Sequence, residues 1–202
     1  MPNSAPDLDE PIHLAPYDPA WAALGPAPAD RLADGLRGLG VAAGAEHIGS
    51  TSVPGLAAKP VLDVQIGCAP GETDAVVGHV RGLGFEYLGE AGVPGRHYLR
   101  RRDDQPANVH VVELGGPLWT DNLLFRDHLR AHPEEAARYA RAKREAAGAT
   151  GRLLAYSAHR RRRWPNSWRG RARPGPERRP GGPLSVAPCT VDHGSSGLRT
   201  GV

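Results

Sequence analysis

The residues best suited to chemistry lie in one short stretch, EHIGSTSVPGLAAKPVLDVQI, residues 46–66. Gly49 and Ser50 open a compact turn that continues through Thr51 and Ser52. Asp63 follows Ser50 after twelve intervening residues and stands inside an otherwise apolar run. Glycine lets an anion approach the backbone closely, while the serine hydroxyl and the N–H groups after it can bind phosphate oxygens. An acid in an apolar strand is costly to bury unless it is paired or coordinates a metal. Asp63 therefore either bonds to Ser50, Lys59 or an arginine, or serves a site. The turn is not a Walker loop, because five residues rather than four separate Gly49 from Gly55 and Lys59 does not follow that glycine. Nor does it have the Gly-x-Ser-x-Gly spacing of a nucleophile elbow.

Other candidates each carry two readings. Lys59 can contact phosphate, or can stand exposed before its strand. His47 precedes the turn and either reaches the site or closes a strand end. Arg96 and Tyr98 share one face of their strand and can reach a ligand. Arg126, Asp127 and Arg130 lie at pairing distances on a helix, which predicts intrahelical salt bridges. Lys143 is placed on the surface.

The elements that must position these residues are legible in the periodicities. Over 61–66, Leu62, Val64 and Ile66 point one way and Val61, Asp63 and Gln65 the other. VAAGAEHI is expected to be the first strand. FEYLGE and RHYLRRR are expected to be strands separated by the turn AGVPG, and NVHVVEL a further strand with Asn108 and His110 on its polar side. Helices are expected over about 72–83 and 117–131. Another starts at Pro133, with acids in its first turn and Gly148 as its stop. Earlier, Pro26 and Pro28 are expected to interrupt any long helix, with Asp30 capping the next at Leu32, Leu36 and Leu39. Three to five strands with helices before and after them predict an α/β or α+β domain.

The formal charge of +3 conceals an uneven distribution. Residues 160–202 hold ten arginines against Glu177 and Asp192, a balance of +8 that leaves residues 1–159 at −5. An acidic body argues against a nucleic-acid groove across it. No run approaches the length of a membrane span, and the N-terminus lacks a secretory signal. Cys68 and Cys189 lack metal spacing and suit a reducing, cytoplasmic setting. Three segments follow: a loose lead over 1–10, a domain over 11–156 and an Arg-, Pro- and Gly-rich tail over 157–202. The tail has too little apolar surface to offset the ordering of its backbone. It is expected to be a solvated, disordered segment or a frameshifted end, since 23 arginines against two lysines suit a GC-rich coding sequence in any frame.

HIGSTSVPGLAAKPVLDVQI, followed by ANVHVVELGG and FRDHLRAHPEEAARYARAKREAA, resembles the GrpB family of the nucleotidyltransferase superfamily over about residues 11–150. The resemblance implies a nucleotidyltransferase-like core, a mixed sheet with helices around it. It implies that Gly49 and Ser50 hold nucleotide phosphates and that the strand acids bind Mg²⁺, usually as a pair of ions. On that pattern Asp63 is a metal ligand, and Gln65 takes the place of the second acid without its charge. His110 falls near a third acid, where an imidazole can bind metal or move a proton. The resemblance also implies anion binding by Arg126 and Arg130. The expected partner is a nucleotide or phosphorylated small molecule, and transfer of a nucleotidyl group is one outcome. A binding module that has lost the transfer chemistry is the other.

Overall fold

Alternation along residues 62–68 builds an interior strand of the sheet, and the rest of the domain is organised by what each of its faces buries. The computed structural model describes residues 9–152, all within the unit Met1–Ala172. The lead before residue 9 and the tail over 157–202 lie outside the described residues. Five strands form one mixed sheet: β1 Gly44–Ile48, β2 Leu62–Cys68, β3 Glu86–Tyr87, β4 His97–Arg101 and β5 Ala107–Glu113. Their spatial order is β1-β2-β5-β4-β3, with β2 and β5 parallel and every other pair antiparallel. The helices are α1 Ala20–Leu24, α2 Pro26–Gly38, α3 Thr73–Gly82, α4 Pro117–Ala131 and α5 Pro133–Thr150. The architecture is the expected α+β one. None of the described helices is long and apolar enough to cross a membrane.

One face of the sheet is the main core. Val64, Ile66, Leu99, Val109 and Val111 are completely buried there against Leu36 of α2 and Val76 and Val80 of α3. The pairing of Val64 with Val109 and of Ile66 with Val111 keeps these side chains level across the two strands. The same register lines up Asp63 with Asn108 and Gln65 with His110 on the opposite face. There Val53 and Leu56 pack with Leu129 of α4 and Tyr139 of α5 in a smaller apolar cluster.

Several local expectations change. The break falls at Pro26, which separates α1 from α2 and opens α2 because the first helical position needs no N–H donor, whereas Pro28 and Asp30 sit inside that helix. α5 runs through Gly148 and stops at Gly151, which takes the left-handed conformation with φ 62° and donates its N–H to Ala147 O. A helix stop needs that dihedral, and Gly148 is merely accommodated within the helix. Only Glu86–Tyr87 of FEYLGE is regular strand, although Leu88 and Gly89 still bond to Tyr98. The lead is tied at its end: Glu10 accepts from Lys59 and from Arg102, and Ile12 N–H donates to Gly151 O.

Candidate functional site

The polar side of β2, β4 and β5 is only partly covered by α4 and α5. What stays open is a cavity of about 480 Å³, walled by the turn after β1, the loop before β4, and the two helices. Gly49, Ser50, Thr51, Lys59, Asp63, Arg96, His110 and Arg126 line it. Ser52, Gln65 and Arg130 do not.

The turn is shaped by Gly49. Its φ of 72° favours glycine, and a Cβ there would come within 2.9 Å of Asp63 Cβ and Cγ. Ser52 Oγ donates to Gly49 O at 2.6 Å and closes the turn, while Thr51 Oγ1 bonds His47 Nε2 at 2.9 Å. Those two hydroxyls are used within the protein. Ser50 Oγ makes no hydrogen bond among the described residues, and Ser50 lines the cavity. Arg130 Nε donates to Ser52 O at 2.9 Å and so braces the turn from outside the cavity.

Asp63 is held by two donors on a single oxygen: Asn108 Nδ2 at 2.7 Å and His110 Nε2 at 3.2 Å, both to Oδ1. Its side chain remains 27% exposed. Burial pushes the carboxyl up, but the His110 and Asn108 hydrogen bonds and the charge of Lys59 outweigh that and hold it below its ordinary value. Arg96 Nη1 lies 3.4 Å from His110 Nδ1. A guanidinium can only donate, so Nδ1 accepts and Nε2 carries the proton given to Asp63. His110 is thereby engaged on both nitrogens. Burial raises the Tyr98 hydroxyl above its usual value, and it donates to Asn108 Oδ1 at 2.8 Å.

Gln65 is sealed away. It is completely buried, donates Nε2 to Trp119 O at 3.2 Å and accepts from Asn122 Nδ2 at 2.5 Å, both on α4. Its amide is a helix anchor. Arg126 lines the cavity but also donates Nη1 to Glu46 at 2.7 Å and to His47 O at 3.0 Å, and Nε to Asp127 at 2.8 Å. His47 lies on the other face of the sheet, level with Val64, and does not line the cavity. Lys143 is not on the surface as placed from sequence. It is 2% exposed, because α5 packs over residues 53–58 and offers its Nζ the carbonyl of Ala57 at 2.7 Å.

Sequence reasoning left out Asn108, Arg100, Asn122, Tyr139 and Lys143, all on the cavity wall. Asn108 had a signal: it stands two residues before His110 on the same strand face. The others come from helices and a strand far from the turn, and no local pattern marks them.

Mg²⁺ fits this set of residues poorly. The ion prefers octahedral oxygen ligands, yet Asp63 Oδ1 is occupied and Gln65 is buried under α4. Among the described residues no three His, Cys, Asp or Glu side chains cluster as a metal site.

Comparison with known proteins agrees with the motifs. The family model described as GrpB protein matches residues 11–164. The chain is 40% identical over 135 residues to UPF0157 protein SCO7215 of Streptomyces coelicolor, covering 66% of this chain and 69% of that one. It is also 40% identical over 103 residues to UPF0157 protein YqkA of Bacillus subtilis, covering 50% of this chain but only 30% of that one. The chain therefore spans less than a third of that longer relative. The crystal structure of conserved protein GrpB from Enterococcus faecalis superposes with a TM-score of 0.61 at 30% identity, over 77% of this chain and 99% of that one. The chain belongs to the GrpB family.

Proposed function

We propose that the cavity binds a nucleotide or another phosphorylated small molecule. One observation carries this: the charged side chains on its wall are Lys59, Arg96, Arg100, Arg126 and Lys143 against Asp63 alone. A concave site lined by apolar side chains with a few convergent polar groups suits a small ligand, and a cationic wall suits an anionic one. Lys59, Arg100 and Arg126 are paired with acids outside the cavity, Glu10, Glu86 and Glu46. Arg96 is held by the carbonyls of Glu90 and Ala91, and Lys143 by that of Ala57. The five cations together make the wall that would meet phosphate, and Arg96 stands beside His110 on it.

Transfer of a nucleotidyl group with Mg²⁺ would require Asp63, Gln65 and His110 to hold or serve the ion. Gln65 and His110 are committed to bonds within the protein and Asp63 has only Oδ2 left, so binding without transfer has the better support.

Calorimetric titration of the full chain with ATP, ADP and AMP, with and without Mg²⁺, tests the proposal. At least one nucleotide is expected to bind, and Arg96→Gln to weaken it about tenfold, the scale of a charge-assisted hydrogen bond. Binding unchanged by Arg96→Gln and by Lys143→Met, or none with any phosphate compound, would remove it. Pyrophosphate release that depends on Asp63 would instead establish transfer.

A further inference from the structure

The geometry points to a direct hydroxyl-binding subsite at Asp63: Oδ2, with the Ser50 hydroxyl beside it, receives a hydroxyl group of the ligand with no metal ion between them. This rests on the proposal that the cavity takes a phosphorylated small molecule, and it names a second group that molecule carries.

The two oxygens of Asp63 are in different states. Oδ1 accepts from both Asn108 and His110, and each donor is locked from behind. Asn108 Oδ1 accepts from Tyr98 Oη at 2.8 Å and from Arg102 Nη2 at 2.9 Å, which fixes its amide with the NH₂ toward Asp63. Arg102 is in turn gripped by Glu10 at 2.9 Å. His110 is fixed by Arg96 in the tautomer that donates. A metal entering on the Oδ1 side would have to break this chain. Oδ2 accepts nothing among the described residues and lies against the Gly49 backbone, at the mouth of the Ser50 turn.

A carboxylate oxygen left without a donor when a ligand closes the cavity is costly. Three kinds of group could meet it. A Mg²⁺ ion would find one carboxylate oxygen, a sealed amide at Gln65 and an imidazole whose proton already points at Asp63. An ammonium would enter a wall already bearing Lys59, Arg96, Arg100, Arg126 and Lys143, where like charges oppose it. A hydroxyl has neither fault, and Ser50, the residue after Gly49, lines the same cavity with a hydroxyl that can bond it a second time. A phosphate oxygen set against Oδ2 would be repelled, so the phosphate lies against the cationic wall away from Oδ2. The ligand class is therefore a phosphate ester of a sugar or polyol, nucleotides included through their ribose. A site built to bond a hydroxyl rejects the analogue that lacks it.

Ribose 5-phosphate and pentyl phosphate carry the same charged group and differ in hydroxyls. In calorimetric titrations of the full chain in EDTA, ribose 5-phosphate is expected to bind at least about tenfold more tightly, the scale of hydrogen bonds to a charged acceptor. Added Mg²⁺ should leave both values within about twofold. Asp63→Asn should narrow the gap between the two esters while pentyl phosphate binds as before or better. Ser50→Ala should narrow it too, and since its hydroxyl bonds nothing among the described residues this variant keeps the test decisive if Asp63→Asn does not fold. Equal affinities for the two esters in the wild type would overturn the subsite and leave phosphate binding standing. So would ribose 5-phosphate binding that requires Mg²⁺ and is lost in Asp63→Asn. Failure of ribose 5-phosphate to bind where AMP binds would overturn the subsite alone, and failure of both esters and of AMP would remove the phosphate proposal with it.

Discussion

At the scale of single residues, the turn between β1 and β2 separates two histidine environments on opposite faces of one sheet. His110 lies at the cavity, bonded on both nitrogens. His47 lies beneath, 7% exposed, where burial, together with the charges of Arg130 and Arg126, lowers its pKa to about 4 against the pull of Asp63. Its folded value is below the ordinary 6.5, so the unfolded chain binds more protons between those limits. Stability from neutral His47 is thus complete above pH 6.5 and declines as pH falls toward 4, by about 3 kcal/mol. Chemical denaturation at pH 7 and pH 4.5 should show this loss in the wild type and little of it in His47→Gln. An equal loss in both proteins would place the titration elsewhere. That Ser50 and Asp63 share one cavity was legible because turn and strand lie close in sequence. The direction in which His47 faces was not, since one step of strand register decides it.

At the scale of elements, α4 is what closes the cavity and what disqualifies Gln65 as a second acid's substitute. It is anchored on the sheet by the Gln65 bonds to Trp119 O and Asn122, and by packing over two glycines. A Cβ at Gly67 would meet Trp119 Cε3 at 2.7 Å and Leu114 Cδ1 at 2.8 Å, and one at Gly44 would meet Trp119 at 3.1 Å. Gly67→Ala should destabilise the protein by about 1–3 kcal/mol, as overpacking does, and shift the Trp119 fluorescence. Unchanged stability and emission would show that α4 yields freely at this contact. From sequence, the polar alternation of β2 was clear, but a polar side chain facing a ligand and one facing a helix backbone look the same. The partner of Gln65 lies 54 residues away.

At the scale of the whole molecule, the segment assigned from sequence as a loose lead ends as a clamp. Glu10 joins Lys59, just before β2, to Arg102, just after β4, and through Arg102 reaches Asn108 and Asp63. Burial raises the Glu10 carboxyl, but bonds and charge from Arg102 and Lys59 prevail and bring its pKa to about 2. With the folded value below the ordinary 4.5, this stabilisation is complete above pH 4.5 and is lost as pH falls through about 2. Glu10→Gln should cost about 2 kcal/mol at pH 7, after allowance for solvent screening, and the gap should narrow below pH 4.5. A gap constant with pH would exclude the ion pairs as its source. The α+β architecture, the helices over 117–131 and from Pro133, the strand that carries Asp63, and the GrpB resemblance were all determined by the sequence itself, because periodicity and motif spacing are local. Only the tertiary structure decided that Lys143 is buried, that Gln65 serves α4, that Glu10 is bonded to Lys59 and Arg102, and that both donors to Asp63 meet one of its oxygens. Each of those outcomes depends on a partner brought near by chain reversal, and sequence spacing carries no record of that.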